Sequence, residues 1–229
     1  QPALRFDGQD DVLRNVQFKQ TARAWTLFIV TLPRSNQGSG VPDGFHGFFS
    51  ANEHGKPDFV TGMNVDMGGR QTDRFICLNV ESNKGGGEAN LLFAGTDFGR
   101  PRVLAVCADR DQTTLFAESA QQASRASNDA ETSLAEIRVG ARCYLEGRET
   151  GFVDADIAEV VLYARALSNE QIQAVSQYLQ QKFAVANVTV DQPRMSLEEA
   201  LIALASYQWE QSRACLVPLD EIIRQGDRQ

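Results

Sequence analysis

The sequence predicts an all-β protein whose strands form an antiparallel sandwich, with helices only near the end of the chain. Short runs of β-branched, aromatic and aliphatic residues follow one another from residue 3 to about residue 163. Clusters of Gly, Asn, Asp and Ser separate these runs, as in "NKGGGEAN" at 83–90. Almost no helical periodicity intervenes, and many short strands joined by polar turns are typical of a two-layer β fold.

Each predicted strand is a short apolar or alternating run bounded by turn residues. The strands are predicted at 3–6, 24–32, 45–50, 74–80, 90–94, 102–108, 113–117, 136–141 and 156–164. The polar segment 118–135, "ESAQQASRASNDAETSLA", lacks strand alternation, and we expect an exposed loop there.

The first of two predicted helices follows the last strand. Ser168 is its N-cap, and Gln171 three residues on completes a capping box. Leu167, just before the cap, is placed to pack on Ile172 as a hydrophobic staple. An apolar face then follows at helical spacing: Ile172, Val175, Leu179 and Phe183.

A second predicted helix lies in an extension over residues 185–229. It begins at Ser196 with Glu199 as its capping-box partner, and its apolar residues occupy more than one stripe. Such a helix needs burial on more than one surface, so we expect the extension to dock on protein partners in a larger assembly. The expected interface residues are Trp209, Ile202, Tyr207 and Leu216. The alternative is that the extension folds back as a structural layer.

Charge and hydropathy exclude two classes of partner. The net charge of −8 and the sequence pI near 4.9 argue against a phosphate-binding surface, so nucleic acid is not expected. No apolar run approaches the ~20 residues that span a bilayer. The chain opens on Gln1-Pro2 rather than Met, which is typical of a trimmed product. We therefore expect an exported protein, periplasmic or extracellular.

The four cysteines have neither CxxC nor metal-finger spacing. Cys77 and Cys107 lie inside apolar runs, where we expect buried thiols. Cys143 and Cys215 lie in less regular contexts, and their pairing under oxidising conditions stays open.

Three stretches carry a resemblance to a known superfamily. They are "ALRFDGQDDVL" (3–13), "RVLAVCADRDQTTLFAES" (102–119) and "DIAEVVLYARALSNEQIQAVSQYLQQKF" (156–183). Together they resemble the opening strand, the paired central strands and the closing strand and helix of concanavalin A-like, laminin G-like jelly rolls, in particular bacterial-type laminin G-like domains. The usual Asn-Gly turn after the central strands is missing. The resemblance implies a jelly-roll domain over residues 1–184, followed by the helical extension.

The superfamily includes laminarinase-type glycoside hydrolases, whose active-site strand carries Glu-x-Asp-x-x-Glu. The comparable residues here are Asp154, Asp156 and Glu159. Strand periodicity puts Asp154 and Asp156 on one face and Glu159 on the other, and no Gly indicates a bulge that would realign them. A similar closing strand also occurs in non-catalytic laminin G-like domains. We therefore expect a structural strand and no enzymatic activity.

Other candidate sites are few. His46 and His54 lack metal-ligand spacing, and we expect His46 to be a hydrogen-bonded structural residue. The corner formed by Asp7, Asp10 and Asp11 is a calcium candidate by the resemblance, although stabilisation of a turn is the expected role. No other cofactor is expected.

Carbohydrate binding is the alternative function that the resemblance implies. Sugar-binding modules commonly offer exposed Trp or Tyr rings, whereas this chain has 13 Phe against 4 Tyr and 2 Trp. Trp25 lies in the apolar run 24–32 and is expected in the core. A lectin-like role on polysaccharide therefore rests on the resemblance, without a visible platform of aromatic residues.

Overall fold

The computed structural model describes residues 2–37, 45–68, 72–85, 91–145 and 148–185. The strands are β1 (Leu4–Asp7), β2 (Leu13–Asn15), β3 (Thr21–Ala22), β4 (Trp25–Ser35), β5 (Gly47–Asn52), β6 (Met63–Asp66), β7 (Arg74–Ser82), β8 (Leu91–Asp97), β9 (Arg102–Ala108), β10 (Gln112–Ala117), β11 (Ala120–Ala126), β12 (Thr132–Ser133), β13 (Glu136–Val139), β14 (Arg142–Leu145), β15 (Arg148–Thr150) and β16 (Asp154–Tyr163). The helices are α1 (Asp58–Thr61) and α2 (Asn169–Phe183).

Two antiparallel sheets of six strands make up the sandwich. The first sheet has the order β1-β16-β4-β9-β10-β11, and the second has the order β2-β13-β5-β6-β7-β8. Two short ribbons, β3 with β12 and β14 with β15, are added to them. Because chain neighbours are repeatedly separated in the sheets, the connections cross between layers as in a jelly roll. The predicted all-β jelly-roll sandwich is confirmed.

The core between the sheets is made by alternate residues of facing strands. On the first sheet Leu27 and Leu104 point inward, and on the second Val65 and Ile137 do the same; all four are at most 2% exposed. Trp25 is fully buried in this core, as predicted. These apolar side chains fix the outward direction of their strand neighbours.

Helix α2 packs on the outer face of the first sheet. The Ser168 hydroxyl accepts from the Gln171 amide, and the Gln171 side chain accepts from the Ser168 amide, so the predicted capping box is confirmed. Its apolar face contacts side chains such as Phe28 and Tyr163. A second, smaller hydrophobic cluster thus seals this side of the sandwich.

The prediction of an exposed loop over 118–135 is wrong, because β11 and β12 lie within that segment. Glu118 and Ser119 form a two-residue hairpin turn with φ of 47° and 70°, the left-handed values that a primed turn requires. Sequence patterns associate this turn with Asn-Gly, which is absent. Strand β11 is also an exposed edge strand of small and polar residues, so it carries no hydrophobic alternation.

The predicted helix after Ser196 and the residues Trp209, Ile202, Tyr207 and Leu216 lie outside the described residues. Val185, the last described residue, is 5% exposed and packs in the cluster under α2. No helix in the described part of the chain is long and apolar enough to cross a membrane.

Candidate functional site

The outer face of the second sheet, turned away from the first sheet, is lined by polar side chains. Strands β5, β6, β7 and β13 place core residues on one face and polar residues on the other. The polar residues are Ser50, Asn52, Asn64, Asp66, Asn79, Glu81, Glu136 and Arg138. Arg138 lies opposite Ser50, and Ser50 lies opposite Asn64. Asn64 lies opposite Glu81, so one polar row crosses four strands.

Helix α1 and the β14–β15 ribbon cover this polar face and add Asp58, Arg142 and Glu149 to it. We call these three residues and the polar residues of the four strands the outer-face network. Its members come from segments far apart in the sequence, so the fold alone brings them together. Most of them are buried: Asp58, Asp66 and Arg138 are fully buried.

Arg142 is the centre of the network. Its Nε and Nη2 donate to the two carboxylate oxygens of Asp58 at 3.2 and 2.9 Å. Its Nη1 donates to Asp66 Oδ2 at 3.1 Å, and its Nη2 also donates to Glu81 Oε2 at 3.0 Å. One guanidinium therefore ties α1, β6 and β7 to β14 through charge-assisted hydrogen bonds.

Gly47 lets the Arg142 stem lie directly on β5. A Cβ at this position would lie 2.6 Å from Arg142 Cγ and 2.9 Å from the backbone carbon of Ala141. Both distances are shorter than real Cβ contacts allow, so any larger residue at position 47 would displace the ribbon. Glycine is thus required by close approach rather than by backbone conformation.

Burial and neighbouring charges have opposite effects on the pKa values of Asp66 and Arg142. Burial raises the pKa of Asp66 to about 7, while Arg142, the Gly68 amide and Asn79 act in the opposite direction. Burial disfavours the charged form of Arg142, yet Asp66 and Asp58 raise its pKa well above the ordinary value. The guanidinium stays charged, and Asp66 is the carboxyl whose charge is sensitive near neutral pH.

A second ion-pair centre surrounds Arg138. Its Nη2 donates to Glu136 at 2.8 Å and its Nε to Glu149 at 2.9 Å. Burial opposes ionisation of Glu136, but hydrogen bonds from His54 and Arg138 leave its pKa lowered. Arg14 approaches Glu149 at 3.4 Å from the sheet edge. This centre reaches solvent through His54, whose side chain is 85% exposed.

Aromatic rings adjoin the first ion-pair centre. The rings of Phe59 and Tyr144 lie 5.4 Å apart at an interplanar angle of 38°. The Arg142 guanidinium carbon lies 5.3 Å from the Tyr144 ring centroid and 5.7 Å from that of Phe45. All three rings are half-buried. Beside Phe59, Val60 is 51% exposed and is the exposed large hydrophobic side chain in the described residues.

The three carboxylates suggested by the laminarinase comparison lie on the first sheet, away from this network. The prediction that Glu159 faces the opposite side from Asp154 and Asp156 is wrong. In β16, Ile157 pairs with Thr31 and Glu159 with Val30, which leaves Ala158 as an extra residue in a β-bulge. The bulge shifts the alternation, so all three carboxylates lie on the outer face.

Each of these carboxylates has a structural partner. Asp156 accepts from Arg5 and Arg34, and these hydrogen bonds outweigh the effect of burial and lower its pKa. Asp154 accepts from the Ser35 hydroxyl at 2.8 Å. Glu159 pairs with Lys182 at 2.5 Å. The three side chains therefore tie β16 to β1, β4 and α2.

The acidic corner Asp7, Asp10 and Asp11 is exposed at the end of β1. Carboxylate oxygens of the three residues lie within 4.8 Å of one another, and such oxygens suit calcium. Two of these side chains already accept backbone amides: Asp7 from Gln9 at 2.9 Å and Asp11 from Asp7 at 3.1 Å. These contacts are those of a turn stabilised by Asp.

Two further predictions concern His46 and the cysteines. His46 is fully buried, and its Nδ1 lies 2.8 Å from the Phe152 carbonyl oxygen, so its structural role is confirmed. Burial lowers its pKa. Cys77 and Cys107 are buried thiols, as predicted, and Cys143 is buried as well. Cys215 lies outside the described residues, so its pairing with Cys143 stays open.

The sequence contained a signal for the outer-face network that our sequence-based interpretation did not use. "MNVD", "LNVES" and "EIRV" each place two polar residues two positions apart, which marks one polar face on neighbouring strands. Arg138 and Arg142 also lie close together in the sequence. Their burial against acidic partners could not be inferred from spacing alone.

No protein-family model matches the sequence, and no curated protein matches it. The fold is similar to a native heptameric SAP-like pentraxin from Limulus polyphemus, with TM-score 0.60 and 13% identity over 75% of this chain and 80% of that chain. A NanB sialidase mutant from Streptococcus pneumoniae gives TM-score 0.50 and 14% identity over 75% of this chain. The chain spans 27% of that sialidase. These likenesses show that the chain shares the concanavalin A-like jelly-roll fold.

Proposed function

We propose that the protein is a non-catalytic recognition module that binds carbohydrate on the outer face of its second sheet. The observation that carries the proposal is the placement of half-buried aromatic rings, Phe59 and Tyr144, directly against the ion-pair centre of Arg142. A sugar ring has an apolar face of C–H groups and a rim of hydroxyl groups. Aromatic rings beside fixed polar groups offer partners for both.

The solvent edge of the network supplies the polar part of this surface. The Glu81 side chain is 15% exposed and the Glu149 side chain 23% exposed, so both carboxylates reach water. Their other contacts to Arg142 and Arg138 hold them in place. Prepositioned groups lose little conformational entropy on binding, which favours specific recognition of hydroxyl groups.

The absence of catalysis is part of the same proposal. Asp58 Oδ1 and Glu81 Oε2 accept from the same Arg142 nitrogen, which holds them within about 6 Å of each other, close to the ~5–5.5 Å of retaining glycosidases. Asp58, however, accepts from Arg142, Asn64 and the Cys143 amide. A fully buried carboxylate with these partners is not placed to reach a glycosidic oxygen.

Affinity electrophoresis in native gels tests the binding function. On a polysaccharide that retards the wild type, Tyr144→Ala and Phe59→Ala should each weaken retention by about two- to twelvefold, because a ring contact of ~0.5–1.5 kcal/mol is lost. Tyr178→Ala, a half-buried Tyr on α2, is the matched control and should bind normally. Retention unchanged by Tyr144→Ala, with the fold intact by circular dichroism, contradicts the proposed surface.

The non-catalytic part is tested by an assay of reducing ends on the retained polysaccharide. We expect no hydrolysis by the wild type. Release of sugar that is lost in Glu81→Gln would show that the outer-face network is an active site. Release lost instead in Asp156→Asn would identify the closing strand as the active site.

Docking on a protein partner through the extension 185–229 is a second candidate function. It is supported by the sequence of the predicted helix, whose apolar residues exceed one stripe and include Trp209. Trp209→Ala should weaken co-elution with a native partner and leave the melting temperature nearly unchanged, because truncated interface anchors commonly weaken binding by ~2 kcal/mol or more. A large loss of stability without loss of binding would indicate a structural layer.

Both candidate functions imply export to the periplasm or the cell exterior. A polysaccharide ligand would be met outside the inner membrane, and the docking candidate concerns an exported assembly. Fractionation of cells that express the gene from its own promoter tests this. Recovery in the cytosolic fraction alone would contradict export.

A further inference from the structure

The outer-face network has more carboxylates than cations. Its carboxylates are Asp58, Asp66, Glu81, Glu136 and Glu149, and its cations are Arg138 and Arg142, with Arg14 at the edge. His54 pairs with Glu136 at the surface. In the turn before α1, the exposed Glu53 and Lys56 offset each other. The exposed Arg148 on β15 adds one more cation, and five carboxylates against four arginines leave the surface offered to a ligand acidic.

The buried guanidinium groups are already engaged by carboxylates. Arg142 uses Nε, Nη1 and Nη2 on Asp58, Asp66 and Glu81. Arg138 likewise uses Nε and Nη2 on carboxylates and Nη1 on Asn52. Recognition of a sugar carboxylate or sulfate normally needs a guanidinium or ammonium group that can turn its donors to the ligand. Neither buried arginine is placed to do so.

The network also has acceptors without donors. Among the described residues, Oδ1 of Asn64 and Oδ1 of Asn79 are buried and have no hydrogen-bond partner. Each amide nitrogen instead donates to a network carboxylate, Asp58 or Asp66, at 3.1 Å. These two oxygens are buried, so a ligand meets instead the acceptors at the solvent edge, the carboxylates of Glu81 and Glu149. A ligand that fits this surface supplies hydroxyl donors and no negative charge.

From this charge balance we infer that the ligand is a neutral, hydroxyl-rich glycan and that the module discriminates against uronate, sulfated and sialylated glycans. The inference rests on the proposed function and adds the class of ligand. Charge repulsion supplies the discrimination, because an anionic sugar ring against this surface faces Glu81 and Glu149. The cation beside Glu149, Arg14, is already paired with that carboxylate at 3.4 Å.

Gel retention on neutral and anionic polysaccharides at equal mass concentration tests the inference. The probes are a neutral β-glucan, a neutral arabinan, polygalacturonate and a sulfated galactan. We expect at least one neutral polymer to retard the protein about tenfold more strongly than either anionic polymer at low salt. Added salt should strengthen any binding to the anionic polymers, because it screens repulsion.

A pair of charge variants sharpens the test. Glu81→Gln removes one negative charge at the solvent edge of the network and should reduce the discrimination several-fold. Glu170→Gln makes the same change in net charge at the exposed start of α2, over the other sheet, and should leave discrimination unchanged. Equal or tighter binding of an anionic polymer by the wild type overturns the inference and leaves carbohydrate binding standing. Failure to bind any polymer by a folded protein overturns both.

Discussion

The two outer faces of the sandwich are closed by opposite means. Helix α2 covers the first sheet with apolar contacts, in which Ile172, Val175 and Leu179 pack on strand residues. Helix α1 and the β14–β15 ribbon cover the second sheet through ion pairs centred on Arg138 and Arg142. Hydrophobic burial is favourable in itself, whereas buried ion pairs must first overcome the desolvation of every charge. The apolar cover of the first sheet therefore adds stability, whereas the ion pairs on the second sheet hold charged groups close to the protein surface.

The largest effect is expected from removing the central cation of the polar face. Arg142→Met leaves the buried Asp58 and Asp66 and the partly exposed Glu81 without their common counter-ion. Such broken buried pairs destabilise proteins by about 3–5 kcal/mol. Urea unfolding should show this loss, while Lys182→Met, which breaks the half-exposed pair with Glu159, should change stability by at most about 1 kcal/mol. Similar small losses in both variants would mean that the network relaxes easily.

A smaller loss is expected from a cavity on the apolar face. Leu179 is 1% exposed, and Leu179→Ala should destabilise the protein by about 3 kcal/mol through lost burial and an unfilled cavity. Gln173→Ala, at an exposed position of the same helix, is the control and should have almost no effect. Binding to polysaccharide should survive Leu179→Ala in the folded fraction. Loss of binding would show that the two faces are coupled.

The pH dependence of stability should distinguish the faces. Because burial raises the pKa of Asp66 from 3.8 to about 7, the folded state binds its proton more tightly than the unfolded state does. The stability that this proton contributes is present at low pH and is lost as pH rises from about 4 to about 7. Asp66→Asn removes this contribution.

Comparison of two variants isolates Asp66 from other titrating groups, such as His46 with its lowered pKa. From pH 5 to pH 7, the unfolding free energy of the wild type should fall relative to that of Asp66→Asn. Asp97→Asn, an exposed carboxylate at the end of β8, should behave like the wild type. Identical pH profiles for all three proteins would place the pKa of Asp66 near its ordinary value.

The smallest effect is expected at the acidic corner, which belongs to neither face. Asp11→Ala removes the acceptor for the Asp7 amide and should destabilise the protein by about 1 kcal/mol. Calcium at millimolar concentration should leave the melting temperature of the wild type unchanged. A rise with calcium that is absent in Asp11→Ala would identify the corner as a calcium site.

The contrast between the two outer faces of the sandwich also explains which features could be predicted from the sequence. Helix α2 follows from local signals, namely the capping box of Ser168 and Gln171 and an apolar stripe at helical spacing. The core strands follow from short apolar runs. The outer-face network depends on a contact between Asp58 and Arg142, which are separated by eight strands in the chain, and no local pattern encodes that contact. A row of polar residues on a strand normally indicates a face in water.

A turn and a bulge also could not be predicted from the sequence, for a reason that differs from that of the network. The turn at Glu118-Ser119 has left-handed backbone values without glycine or asparagine, and the bidentate pairing of Glu118 with Arg102 holds it in place. The bulge at Ala158 likewise lacks a glycine. In both places tertiary contacts outweigh local preference.

The extra residue at Ala158 sets the phase of the whole closing strand. Before it, even-numbered residues such as Asp156 face outward; after it, odd-numbered residues such as Val161 and Tyr163 do so, under α2. A regular strand that kept Ala158 without the bulge would exchange the inner and outer surfaces of everything downstream, turning Val160 and Leu162 out of the core and the Tyr163 hydroxyl into it. Deletion of Ala158 would instead keep every later residue on its present face, because Ile157 and Glu159 already pair with the consecutive residues Thr31 and Val30. We therefore expect this strand to tolerate the loss of Ala158 better than the insertion of a second residue beside it.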